Sequence, residues 1–362
     1  MNKINTQFAF VGNYTEPAPS KTGSKGIYGI KTNSETGEII RGHLLAEVDN
    51  PNFLTFSPDR KFLYASGDSH DDREITGQVY AFKINADTTL TFLNKQSSLG
   101  NSACHVSLDQ TGQFVFTANY SSGVAAVYNR NEDGSLTEPL HKFEFSGSGP
   151  HPNQNSAHPH QAIISPNNKF LYIPDLGTDQ IHVFRILHDD NKVVPTDFRD
   201  ISLPPGSGPR HMTFHPSLPY AYVINELGNT IQAFEYNSET GFLEKIELYS
   251  TLPDEFEEVS YCADIHIHPD GELLFGSNRG HNSLVGFRIN KEDGSLDLID
   301  HFSVQGDWPR NFAIDPSGKF VYVANQNSGN ISVFDLDPVT GKLSLIDSTF
   351  NATLEPVCLL FY

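Results

Sequence analysis

Asp315-Pro-Ser-Gly-Lys-Phe-Val-Tyr-Val-Ala-Asn325 joins a tight turn to six residues in which bulky apolar side chains recur two apart. Pro, Ser and Gly supply the backbone angles of a turn, and the period of two puts one face of a strand into a core. The pattern occurs in six further places: Phe8-Ala-Phe-Val-Gly-Asn13, Phe62-Leu-Tyr-Ala-Ser-Gly67, Phe114-Val-Phe-Thr-Ala-Asn119, Phe170-Leu-Tyr-Ile-Pro-Asp175, Tyr220-Ala-Tyr-Val-Ile-Asn225 and Leu273-Leu-Phe-Gly-Ser-Asn278. All but the first follow a turn rich in Pro, Asp, Asn or Gly, and successive copies start about fifty residues apart.

Around each copy the same elements repeat. A short apolar strand precedes the turn. A third strand follows the copy, as in IHVFRI, IQAFEY and ISVFDL, then a second turn such as NSETG or NEDGS, then a fourth strand. Four antiparallel strands in a repeat of about fifty residues describe a β-propeller blade. Seven repeats predict an all-β, seven-bladed propeller in one domain spanning residues 1–362. The terminal EPVCLLFY aligns with an innermost strand but has no second strand after it, whereas FAFVGNY at the N-terminus is a second strand without a first. Pairing these two would close the ring and leave no large free sheet edge.

Composition narrows the partners. Twenty-four basic against 44 acidic side chains leave a net charge of −20, which excludes the basic surfaces that nucleic acids and anionic membranes require. Apolar runs are only strand-sized, far below the roughly 20 residues of a membrane helix. The N-terminus carries no apolar stretch of the secretory type, and Cys104, Cys262 and Cys358 match no zinc spacing, so a cytoplasmic protein is expected. There is no GxGxxG opening a helix, no phosphate loop of the Walker type, no HExxH and no GxSxG; neither a cofactor nor a metal is expected. The expected partner is a small anion rather than a macromolecule, and the expected assembly a monomer or weak homodimer.

The blade register predicts where chemistry can sit. Residues opening each first strand and those just after each second strand share one face of the disc, around the central channel. The first set contains His105, His160, Gln161, Arg210, His211, Asp264, Arg310 and Asn311, and the second Tyr14, Asp68, Tyr120, Glu226, Arg279 and Gln326. Three of the ten arginines, Arg210, Arg279 and Arg310, fall in this ring. Their planar forks suit phosphate or carboxylate; ion pairing with Glu226, Asp175 or Asp264 is the structural alternative. His160 is the acid/base candidate, Glu226 its partner, and His105, Gln161, His211, Arg310 and Gln326 are candidate substrate contacts. Cys104 reads as a buried small hydrophobe, on the ground that adjacent strand residues point to opposite faces. His151 and His158 read as loop residues, and His215, His266 and His268 as structural residues toward the opposite face. Loop 145–157 is compatible with either a lid or a fixed rim.

FVGNYT, AHPHQAIISPNNKFLYIPDLGTDQI, GPRHMTFHP, YVINELGNT, GSNRGHNSL and WPRNFAIDPSGKFVYVANQNSGNISVF resemble, over essentially the whole chain, the lactonase family of seven-bladed propellers of the 6-phosphogluconolactonase type. That family includes the fungal carboxy-cis,cis-muconate cyclases. The resemblance implies a hydrolase of 6-phospho-D-glucono-1,5-lactone in the pentose phosphate pathway, with a cycloisomerase of unsaturated acids or a non-enzymatic binding propeller as alternatives. It also implies catalytic roles for His160, Arg210, Glu226 and Arg279.

Overall fold

Each repeat folds into an antiparallel sheet whose strands run in chain order from the inside outward. In the seventh blade these are Pro309–Ile314, Phe320–Asn325, Asn330–Leu336 and Leu343–Phe350. The structure is a computed structural model, and it describes residues 5–15, 23–69, 76–198, 200–350 and 355–362. All the strands named among these residues fall into seven sheets. The first blade is built from both ends of the chain: Pro356–Phe361 pairs antiparallel with Thr6–Asn13, which continues into Gly26–Asn33 and Ile39–Glu47. Contacts between successive blades run round the whole ring, including from Pro356–Phe361 to Phe53–Phe56 of the second blade.

Alternation along Phe320–Asn325 suggested one buried face, yet all six residues are buried. The cause is the architecture: each blade is packed on both sides. Seven apolar clusters fill the seven clefts between neighbouring blades. The cleft that closes the ring joins Ala9, Val11 and Leu359 to Tyr322, Ala324 and Val333.

The third residue of the repeated hexapeptide has a further role. Where it is Tyr, its hydroxyl donates to a glycine carbonyl in the second turn of the next blade: Tyr64 to Gly134 at 2.7 Å, Tyr172 to Gly241 at 2.6 Å, Tyr222 to Gly294 at 2.9 Å and Tyr322 to Gly37 at 2.6 Å. The last of these spans the closing cleft. Gly37 has φ +76°, and a Cβ there would lie 2.7 Å from the ring of Phe320, so backbone angle and packing both demand glycine. His215 and His268 make the equivalent link on the face away from the channel mouth, each through Nε2 to the carbonyl of Gly271 or Gly318 at 2.9 Å, as their structural reading anticipated.

Candidate active site

Most inner strands carry the same irregularity at the channel mouth. Pairing jumps from Ala103↔Asn119 to His105↔Ala118, from Pro209↔Asn225 to His211↔Ile224, and from Pro309↔Asn325 to Asn311↔Ala324. One extra residue, Cys104, Arg210 or Arg310, is thereby inserted into the strand. A bulge breaks the alternation of side chains. Arg210 and His211 consequently meet, Nη1 to Nε2 at 3.4 Å, although they are neighbours in sequence. Strict alternation was therefore the wrong argument for Cys104. The thiol is nevertheless buried and held protonated, its pKa pushed up to about 12 by burial, which leaves it a poor nucleophile.

A cavity of about 360 Å³ opens at this mouth. The size suits a small-molecule ligand. Every blade contributes to its wall. His160, Glu226, Arg279 and Arg310 line blades four to seven, and Tyr14, Asn52, Asp68, Ser102, Cys104 and Tyr120 line blades one to three.

Glu226 follows the last residue of the strand Tyr220–Asn225, and its amide donates to the carbonyl of Gly208 at 2.7 Å. Its Oε2 lies 2.7 Å from Arg279 Nη2 and 3.0 Å from Arg210 Nε. The latter is an ion pair without hydrogen-bond alignment. Each arginine also donates to a backbone carbonyl. Arg210 Nη1 donates to the carbonyl of Ala263 at 2.6 Å, and Arg279 Nη2 to that of Cys262 at 2.7 Å. Trp308 covers the guanidinium of Arg279 at 5.4 Å. Burial by itself would raise the Glu226 pKa, but Arg279, Arg210 and Arg310 outweigh it and hold the carboxyl below its ordinary value. Burial and the other two arginines lower Arg210 to about 10, so it remains cationic at neutral pH.

His160 is 4% exposed, and its Nδ1 has no hydrogen-bond partner among the described residues. Burial first, then Arg210, His211 and Arg310, keep its pKa well below the usual imidazole range, so the ring is neutral at pH 7. Its position comes from a departure in the fourth blade. Proline has no N–H to give the ladder, and the inner strand there is reduced to Ile163–Ile164, preceded by an isolated bridge from Pro159 to Asp175. The His160 amide still donates to the carbonyl of Pro174 at 2.9 Å.

His105, Gln161 and His211 are buried and are not among the residues lining the cavity. Gln161 Oε1 accepts from the Met212 amide at 2.7 Å, and His105 packs on Phe53 with ring centroids 4.1 Å apart. His211 donates through Nδ1 to Asp264 Oδ1 at 2.8 Å, while Asp264 Oδ2 takes His266 Nε2 at 2.8 Å and Asn311 Nδ2 at 2.5 Å. Gln326 stands outside the lining as well; its backbone amide donates to the Trp308 carbonyl at 3.0 Å. Among the described residues no group of three or more His, Cys, Asp or Glu is arranged to hold a metal.

Two features had no assigned role in the sequence. Tyr120 lies in the predicted ring, but nothing there signalled that His158 stacks on it at 4.4 Å and donates from Nδ1 to its carbonyl at 2.8 Å. Burial, reinforced by Glu226, pushes the Tyr120 phenol up to about 12, so it stays a donor. Ser102 lies outside the register used, and no sequence signal marked it. Loop 145–157 is tied down: buried Gln154 donates to the Leu176 carbonyl at 2.8 Å and to Asp179 Oδ1 at 2.7 Å. The same carboxylate accepts the Gly206 and Gly208 amides at 2.7 Å, which connects this rim to the backbone that seats Glu226.

A family profile described as Lactonase, 7-bladed beta-propeller matches residues 8–361. The chain is 37% identical over 353 residues to the 6-phosphogluconolactonase of Bacillus subtilis (strain 168), covering 97% of each. It is 40% identical over 343 residues to that of Formosa agariphila, covering 92% of this chain and 94% of the other. The solved structure of the periplasmic gluconolactonase of Pseudomonas aeruginosa superposes with a TM-score of 0.91 at 30% identity, covering 99% of both chains. With its seven blades, its terminal strand pairing and these full-length similarities, the chain belongs to the seven-bladed β-propeller lactonase family.

Proposed function

We propose that the protein is a 6-phosphogluconolactonase, hydrolysing 6-phospho-D-glucono-1,5-lactone to 6-phosphogluconate. The observation that carries this reading is a neutral imidazole, His160, with a ring nitrogen that has no partner among the described residues, in the same cavity as Arg279 and Arg310. His160 accepts a proton from water as the water oxygen bonds to the lactone carbonyl carbon. The carbonyl oxygen becomes anionic and is stabilised by the cationic wall of Arg279, with Arg210 behind it. Collapse breaks the bond from that carbon to the ring oxygen, which takes a proton from the acidic groups of the site, the His160 imidazolium or the Tyr120 phenol. The product acid then ionises and the site returns to its starting protonation.

Glu226 is better suited to orienting than to proton abstraction, because two guanidiniums hold it ionised and weakly basic. This assignment uses no metal or cofactor. We place the protein in the cytoplasm as one propeller domain, supported by three free, buried cysteines; no helix among the described residues is long and apolar enough to cross a membrane.

Freshly prepared 6-phosphogluconolactone, followed by proton release against its spontaneous hydrolysis, tests the reading. Acceleration well above the uncatalysed rate is expected, and none would overturn it. Incubation with a carboxy-muconate, followed through loss of diene absorbance, is expected to show no turnover.

A further inference from the structure

The three guanidiniums of the site are not equivalent. Arg210 and Arg279 share Glu226 and also donate to the carbonyls of Ala263, Cys262 and Tyr261. Arg310 makes no ion pair and no hydrogen bond among the described residues. Its guanidinium lies over the face of Tyr14, at 5.3 Å from ring centroid to guanidinium carbon. It lines the cavity and is only half-buried, so its donors remain available there. An aromatic face holds a guanidinium in place without consuming an N–H.

Ring order gives this difference a direction. His160 belongs to blade four, whereas Arg310 belongs to blade seven and Tyr14 to blade one. In a ring of seven, the junction of blades seven and one is diametrically opposite blade four. A ligand with its reacting carbon at His160 therefore extends its far end toward Arg310. Asp68, the other carboxylate of the lining, stands on blade two. The bulge in the seventh inner strand makes Arg310 the inserted residue, so its placement depends on that strand defect rather than on regular pleating.

We infer that Arg310, braced on Tyr14, is the phosphate subsite and the determinant of preference for a phosphorylated over an unphosphorylated sugar lactone, while Arg210 and Arg279 are reserved for the reacting end. This deepens the reading of the protein as a phosphogluconolactonase and rests on it. The planar fork of Arg310 binds two phosphate oxygens at once, which an ammonium does not reproduce.

The test compares the full chain with Arg310→Met and Arg310→Lys on 6-phosphogluconolactone and on glucono-1,5-lactone. Arg310→Met is expected to raise KM for the phosphorylated lactone about 10- to 100-fold more than for the unphosphorylated lactone, with kcat on the phosphorylated lactone within a few-fold. Arg310→Lys is expected to recover only part of the loss. A parallel titration with 6-phosphogluconate and gluconate reads the subsite without any turnover: the wild type favours the phosphorylated acid and Arg310→Met removes the difference. Equal losses on both lactones, no loss on either, or a wild type that binds both acids equally would overturn the assignment. A wild type that favours 6-phosphogluconate through Arg310 but accelerates neither lactone would overturn the lactonase reading and leave the anion subsite standing. Thermal unfolding of each variant separates loss of fold from loss of the subsite.

Discussion

Glu226 Oε2 and Arg279 Nη2 lie 2.7 Å apart in the cavity wall, and Arg279 is the largest of the charges that hold the Glu226 carboxyl below its ordinary pKa. The carboxylate compensates a guanidinium that is itself 5% exposed, and in doing so is held ionised and weakly basic.

Replacing Glu226 with Gln leaves two guanidiniums facing one another with no anion between them. Removing one partner of a buried pair costs about 3–5 kcal/mol. Glu226→Gln is expected to lose that much in denaturant unfolding and to lose turnover as well. A variant as stable as the wild type would show that the pair is solvated.

His160→Asn keeps a small polar side chain but removes the base. General-base catalysis contributes about 10²- to 10⁴-fold, so kcat should fall within that range with little change in KM. Because the imidazole is already neutral well below the ordinary histidine pKa, kcat/KM of the wild type should be level from about pH 6 to 8 on the basic side of that group. An inflection near pH 6.5 that disappears in Glu226→Asp but persists in His160→Asn would assign the base elsewhere.

Stability should depend on pH through two histidines with opposite signs. His182 bridges Asp175 at 3.2 Å and Asp200 at 2.7 Å. Burial opposes its charge, but hydrogen bonds to the two carboxylates raise it to about 8. The native state therefore holds this proton more tightly than the unfolded chain, and its contribution is complete below about pH 6.5 and lost as pH rises through about 8. His211 is the reverse: burial, then Arg210, depress it to about 4. Its contribution is complete above about pH 6.5 and lost as pH falls toward about 4. Melting temperatures across pH 4 to 9 should form a dome. His182→Asn should flatten the alkaline limb, by on the order of 2 kcal/mol, and an unchanged limb would remove His182 from this account.

Tyr322→Phe removes the hydroxyl that reaches Gly37 across the closing cleft. The buried carbonyl then loses its partner, at a cost of about 1–3 kcal/mol. Tyr172→Phe makes the same change between blades four and five. Both should lower the denaturant midpoint by similar amounts while turnover is retained. A much larger loss for Tyr322→Phe would mean that ring closure, rather than one hydrogen bond, is what the tyrosine secures.

Much of this architecture is legible in the chain. The hexapeptide repeat marks the second strand of every blade, and the incomplete repeats at the two ends are complementary, as Pro356–Phe361 against Thr6–Asn13 bears out. The residue after the hexapeptide reaches the cavity at Tyr14, Asp68, Tyr120, Glu226 and Arg279, because strand register is repeated with the motif. Gln326 occupies the same position and does not line the cavity, and the repeat alone contains no signal for that difference.

What the sequence by itself determined is thus periodic: the number of blades, the mode of closure and the set of residues around the channel. Tertiary structure decided how that set is divided. Arg210, Glu226 and Arg279 come from two repeat positions in two blades and meet only when those blades pack side by side. The bulges that place Arg210 beside His211 arise from pairing between strands, which no spacing along one strand records. A residue's availability to a ligand depends on which neighbours have already taken its donors, and those neighbours are brought together by ring closure. Among the described residues Arg310 is left with the face of Tyr14 and no ion pair for that physical reason, although in the sequence it is one arginine of three.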